Sequence, residues 1–249
     1  MLLVFVACGT RAQAWRPFRP GLIYAYHVTP VTSQDEYYTL RVDSAYATAN
    51  GDSVYAFNRL LRLSPTTLYP RGMVKSRNNL FGALMRWRPG QASYTLESQA
   101  QTNVQAAISL ELFPRARVGS NWTASSQPSR TATLVSRSWQ TVSPGVQDSV
   151  AVINITSPAI TVRLSRRYGL VSGPQWLGGT AGAQLETGAL LPASFEQSIY
   201  SPLRLFDVRP GDEFGYQDFD IGMSTRCYDN RMLRRIIGRR LTPDSLIIT

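Results

Sequence analysis

The densest group of side chains that could do chemistry is acidic. Asp207, Asp212, Glu213, Asp218 and Asp220 place five of the 16 carboxylates within fourteen positions. A hard cation such as calcium takes about six to eight oxygen ligands, and a carboxylate-rich loop with its backbone carbonyls can supply them. The spacing is not that of an EF-hand loop, and Pro210-Gly211-Asp212-Glu213 also reads as a solvated turn. A carboxylate pair at suitable separation is the equipment of glycoside hydrolysis, which makes Asp212 and Glu213 the pair to test. Calcium is the one cofactor this grouping suggests. A second set is aromatic: Trp87, Trp122, Trp139 and Trp176. Their flat faces could stack on sugar rings, making a glycan the candidate ligand, and equally could fill a β core. A third set is basic: Arg226, Arg231, Arg234, Arg235, Arg239 and Arg240. Such a cluster can meet nucleic acid or anionic membranes. Met232, Leu233, Ile236 and Ile237 fit helical spacing, but a strand with Gly238 as a bend is the preferred reading, and it disfavours nucleic acid as a partner.

Other chemistries lack their parts. A Ser-His-Asp or Cys-His nucleophile would need His27, the one histidine, which lies in the strand-like run Leu22–Val28. No G-x-S-x-G elbow is present. Lys75, the one lysine, is in no phosphate loop, and Gly178-Gly179-Thr180-Ala181-Gly182 lacks the lysine such a loop requires. Two cysteines, Cys8 and Cys227, make no disulfide framework.

The elements that must carry these residues are strands. The chain of 249 residues suits one large all-β domain or two small ones. In Ala159–Ser165, Ile160, Val162 and Leu164 fall on one face, with Thr161, Arg163 and Ser165 on the other. Similar alternation runs through Tyr38–Val42, Val54–Arg59, Tyr94–Leu96, Val104–Leu112, Thr131–Val135 and Val150–Ile155. Turn dipeptides separate them: Asn50-Gly51, Pro89-Gly90, Pro144-Gly145, Ser172-Gly173 and Pro210-Gly211. Many strands with short connections predict antiparallel pairing.

The front of the chain reads as an address. An apolar run, Met1–Cys8, is followed by Gly9-Thr10-Arg11 and the A-x-A pattern Ala12-Gln13-Ala14, the ending of an export signal. Cleavage is expected after Ala14. No basic residue precedes the apolar run, so a basic n-region is expected upstream or the start lies elsewhere. The competing reading is a buried first strand. No apolar run reaches the ~20 residues of a transmembrane helix.

One pattern recurs. Asp52-Ser53-Val54, Asp148-Ser149-Val150 and Asp244-Ser245-Leu246 lie 96 residues apart, each after a strand-like run. Asp and Ser side chains cap backbone N–H groups in turns, which predicts three equivalent hairpins. The third stops at Thr249, from which the chain is expected to be part of a longer protein. The sequence therefore divides into an export signal over 1–14, an antiparallel β domain over 15–225, and the start of a further hairpin over 226–249. The net charge is +10, and this division assigns half of it to the leader and the terminal segment.

Several motifs together carry a resemblance. They are Phe18-Arg19-Pro20-Gly21, Arg41-Val42-Asp43-Ser44, Asp52-Ser53-Val54-Tyr55-Ala56-Phe57-Asn58, Asn79-Leu80-Phe81-Gly82, Tyr168-Gly169-Leu170-Val171 and Leu205–Phe214. In this order they resemble the N-terminal region of uncharacterised exported proteins of the Bacteroidota. Such proteins often end in a sorting domain read by the type IX secretion system. The resemblance thus implies that secretion machinery is a partner where the full chain carries such a domain; none lies within these residues. Being turn and strand motifs, they imply no catalytic residue. The expectation is an exported, all-β protein, an antiparallel meander curling into a sandwich or open barrel with few or no helices. Its expected role is structural or adhesive, at the cell surface or secreted. The rivals are a carbohydrate-active enzyme using the acidic cluster and a carbohydrate-binding module.

Overall fold

The computed structural model describes residues 15–29, 37–63, 73–101, 106–126, 129–156, 159–174, 184–187, 191–199, 201–219, 229–242 and 246–249. Two compact units part between Phe195 and Glu196, upstream of the 225/226 division read from sequence.

The first unit contains, in chain order, β1 (Leu22–Thr29), β2 (Tyr37–Ala47), β3 (Ser53–Phe57), β4 (Leu61–Leu63), β5 (Met73–Lys75), β6 (Leu84–Trp87), β7 (Tyr94–Ser98) and β8 (Ile108–Leu112). There follow β9 (Asn121–Ser126), β10 (Ser129–Ser143), β11 (Val146–Ile155), β12 (Ile160–Ser165), β13 (Gly169–Pro174), β14 (Gln184–Thr187) and β15 (Ala193–Ser194). All pairings are antiparallel. One meander runs β1-β2-β3-β6-β7-β8, a second runs β9 through β14, and pairing of β1 with β14 joins them into one sheet. The ribbon β4–β5 stands outside this path, and β15 adds to the start of β1.

The architecture is sandwich-like with no closed barrel, as one of the two expected forms had it. The sheet folds over so that both meanders bury one face in a single core. Tyr24, Tyr26, Leu40, Phe57, Met85, Leu96, Leu110 and Leu112 come from the first; Leu134, Ile153, Ile155, Val162, Leu164 and Leu170 come from the second. The free ends of the path, β8 and β9, share no ladder. They are held side by side by the Trp122 indole, whose Nε1–H donates to the Glu111 carbonyl at 2.9 Å while its ring meets Phe113 edge-on at 5.4 Å. This is a seam made by side chains.

One end of the folded sheet is closed by the segment leading into β1. Phe18 is fully buried, packed edge-on against Tyr24 (5.2 Å) and Phe57 (4.9 Å). Trp15 is buried as well and donates its backbone N–H to Arg166 at 3.1 Å. The Pro17 carbonyl accepts from Leu170 at 2.9 Å, and the Arg19 N–H donates to the Tyr24 hydroxyl at 2.9 Å. Residues 15–20 therefore plug the core. Burial pushes the Tyr24 phenol up to about 12 and Tyr26 well above the ordinary tyrosine range.

Each expected strand run contains an observed strand; the run Val104–Leu112 is strand from Ile108, with Val104 and Gln105 outside the described residues, and Val54–Arg59 is strand as far as Phe57. Ile160, Val162 and Leu164 do share the core face of β12, but Ser165 on the opposite face is buried too, because its hydroxyl donates to Asp148. Four of the five turn dipeptides lie in turns. Ser172-Gly173 instead lies inside β13, a correction with a steric cause: a Cβ on Gly173 would stand 3.1 Å from the Phe81 ring. Glycine there makes room for a core aromatic.

The second unit contains α1 (Pro202–Leu205), β16 (Glu213–Phe219), β17 (Asp229–Arg235), β18 (Arg239–Leu241) and β19 (Leu246–Ile248). These form two ribbons, β16–β17 and β18–β19. Residues Met232 and Leu233 are in a strand, as the strand reading of this basic segment required, and Gly238 marks the break between β17 and β18.

Candidate functional site

The acidic group falls in the second unit around the start of β16. Asp207, Asp212 and Glu213 are exposed. The Asp212 carboxylate accepts the Arg209 N–H at 2.7 Å, capping its own turn, as a short acidic side chain does beside Pro-Gly. Glu213 pairs across the ribbon with Arg235 at 3.0 Å. Asp218 stands opposite Asn230 in the β16–β17 register, and Asp220 lies outside the described residues. No group of three or more metal-ligating side chains occurs among the described residues.

The tryptophans do not share one surface role. Trp87 is half-buried at the end of β6 and donates to the Gln91 carbonyl across a turn. Trp122 belongs to the seam. Trp139 is 70% exposed on β10, and Trp176 lies outside the described residues. Trp139 is therefore the one member of the set whose ring stands open to solvent among the described residues. His27 is half-buried in β1, with Tyr37 and Glu186 opposite it on the two neighbouring strands. Cys8, Cys227, Arg226 and the glycine run at 178–182 are likewise outside the described residues.

The Asp-Ser repeat turns out to carry more than turn chemistry. Asp52 and Asp148 are both buried, and each anchors the end of the adjacent strand. Asp52 accepts from the Arg88 guanidinium at 2.8 Å, just past the end of β6, with Arg86 at 3.8 Å. Asp148 accepts from the Ser165 hydroxyl and from the Arg167 N–H at 2.6 Å, just past the end of β12. The registers match: Ser53 stands opposite Trp87, and Ser149 accepts from the Arg166 N–H, which sets each aspartate opposite an arginine. In the third copy β18 and β19 form the hairpin and Leu246 starts the return strand, while Asp244 and Ser245 lie outside the described residues.

The hydrogen bond from Arg88 holds the Asp52 carboxyl below the usual carboxylate range. A carboxyl lowered in the fold stabilises above its unfolded pKa of about 3.9, and the contribution disappears as pH falls through the lower folded value. The Asp52→Asn variant is accordingly expected to lose less stability than the parent as pH falls below about 4. Denaturant midpoints measured at stepped pH check this; parallel acid limbs would refute it.

What residue-by-residue reading missed is the basic end of the first unit. Eighteen of the 26 basic and eight of the 16 acidic residues precede Glu196, so the whole net charge of +10 lies in the first unit. The arginines of the terminal segment, which sequence reading counted as excess, are balanced by the acidic group within their own unit. Several of the first unit's arginines gather at the plugged end. Arg16 stacks on Tyr55 at 5.1 Å. Arg137 stacks on Trp15 at 5.7 Å and donates to the carbonyls of Pro114 (2.9 Å) and Ala116 (2.7 Å). Arg115 and Arg117 lie in the β8–β9 loop that Arg137 grips, and Arg166 and Arg167 form the β12–β13 turn. Arg115, Arg117, Arg137, Arg166 and Arg167 are all exposed. The sequence signal was present as single arginines spread over four segments; only the topology gathers them.

No known protein family, curated protein or solved structure matches this chain.

Proposed function

We propose that this chain is an exported, β-rich module of the cell surface or the secreted fraction, with a structural or adhesive role, of the kind its motifs resemble in the Bacteroidota. The observation that carries this reading is the use made of its buried polar groups. Asp52 and Asp148 tie strand ends. Asn78 and Asn79 hold the approach to β6: Asn78 bonds the backbone of Gln99 at 2.8 and 2.7 Å, and Asn79 donates to Asn58 and Thr39. Ser76 and Gln101 bond each other. These groups serve to fix the shape of a scaffold, and a scaffold is what an adhesive or structural module needs.

The export reading draws support from the plug. Trp15, the residue that cleavage after Ala14 would leave first, is buried. Trp15 has φ of +69°, a left-handed conformation costly for a bulky residue. Hydrolysis of the preceding peptide bond removes the carbonyl carbon that defines this torsion, and leaves the nitrogen donating to Arg166. The test is expression of the full chain in a Bacteroidota host, followed by fractionation and N-terminal sequencing. The expected product is at the surface or in the medium and begins at Trp15. A cytoplasmic product that retains Met1 would overturn the reading.

A second reading, carbohydrate binding, is favoured by the open ring of Trp139.

A further inference from the structure

We propose that the plugged end of the first unit binds an anionic polysaccharide, with Trp139 as the stacking face and Arg117, Arg137, Arg166 and Arg167 as the grip on sulfate or carboxylate groups. The proposal deepens the adhesive reading above and rests on it.

Three observations converge. The first is position. β10 pairs with β9 only as far as Thr133, opposite Asn121, while its pairing with β11 continues to Ser143. Beyond Thr133 the hairpin has no β9 partner on that side, and it carries Arg137 and Trp139 two residues apart on one face. Ser149, a small residue, stands opposite Trp139 and leaves the ring open. The second is charge. Arg166 and Arg167 sit on the turn that receives the Trp15 N–H, and Arg117 sits in the loop whose carbonyls hold Arg137. The carboxylates of Asp52 and Asp148, on the neighbouring turns, are buried and engaged with strand ends, so they do not offset these exposed arginines. The third is residue type. The guanidinium is a planar fork that meets carboxylate and sulfate oxygens in pairs, and Arg137 is fixed in advance by two carbonyls and a ring.

The same features separate a glycan from a nucleic acid. Single-stranded nucleic acid is held by successive aromatic platforms along a basic groove. Here Trp139, the one open tryptophan among the described residues, stands beside a compact charged patch, which matches a single sugar ring carrying discrete anionic groups.

The test is calorimetric titration of the full chain with dextran sulfate, uncharged dextran and an oligothymidylate, over a range of salt. The expected results are binding of dextran sulfate, weakening with salt, and none of uncharged dextran. Trp139→Ala and the double variant Arg166→Gln/Arg167→Gln should each weaken binding by about tenfold or more. Trp139→Tyr should keep it, and Arg77→Gln, far along the chain in the approach to β6, should leave it unchanged. These side chains are exposed, and unaltered unfolding midpoints confirm intact variants. Absence of dextran sulfate binding, indifference to both Trp139→Ala and the double variant, or tighter binding of the oligothymidylate would each overturn the proposal. Its failure is distinguishable from that of the adhesive reading: lost polyanion binding with normal surface export removes this site alone, whereas cytoplasmic retention removes the export reading and leaves the titration standing.

Discussion

Replacing Gly169 by alanine is expected to destabilise the first unit by about 3 kcal/mol or more, enough to abolish folding in a marginal domain. Two independent costs act together. Gly169 has φ of +82°, a region where a side chain costs about 1–2 kcal/mol. A Cβ at this position would also run into the carbonyl oxygen of Pro17, with the Tyr24 ring 3.2 Å away on another side. That oxygen cannot retreat freely, because it accepts the Leu170 N–H at 2.9 Å in the contact that seats the plug. Glycines such as Gly90 and Gly145 share a positive φ but have open space around them, so alanine there should cost only the conformational part. Guanidinium titrations of the three variants, followed by far-UV and tryptophan signals, check this. Equal losses at Gly169 and Gly145 would mean that the plug contact contributes nothing.

The second large effect is expected from Phe18→Ala. Phe18 is fully buried between Tyr24, Phe57 and Phe81, so truncation removes a large apolar side chain and leaves a cavity in the core. Deletions of this kind cost about 3–5 kcal/mol. The loss should be accompanied by faster proteolytic cleavage near Arg16 and Arg19, because the segment that carries Phe18 is held mainly by it and by Trp15. Phe18→Leu, which keeps most of the volume, should recover more than half of the loss. If Phe18→Ala unfolds with an unchanged midpoint, the segment is not an integral part of the core.

Much of the fold was legible because antiparallel strands announce themselves locally. Alternation in Ala159–Ser165 and the Pro144-Gly145 dipeptide placed β12 and the β10–β11 turn from neighbouring residues alone, since side-chain period and turn conformation are local properties. What lay beyond reach depends on distant partners. Ser172-Gly173 has turn composition, yet Phe81 from another part of the chain decides that it is strand. Pairing of β1 with β14 joins residues near position 26 to residues near 187, and no periodicity encodes that register. At the candidate site, Trp139 was in the aromatic set, but nothing in its neighbours distinguished it from Trp122, whose indole is consumed by the seam. The arginines that matter were passed over in favour of the denser run at 226–240, whose charge the nearby carboxylates balance. Density along the chain is a poor guide to density in space when a sheet folds its ends together.

The joining of β1 to β14 also sets an order of events. The Tyr26 hydroxyl bonds the Leu170 carbonyl, and the Arg19 guanidinium bonds the Arg166 carbonyl, across 144 and 147 positions of chain. The segment leading into β1 thus waits for nearly the last strands of its unit before it can be seated. Non-local closure of this kind makes folding slower than in folds built from local contacts. Each meander can form hairpins early, while the plug, the shared core and the basic end assemble together and late. A chain built this way stays threadable for as long as its first and last strands are kept apart, which is the condition that passage through a narrow translocation channel demands.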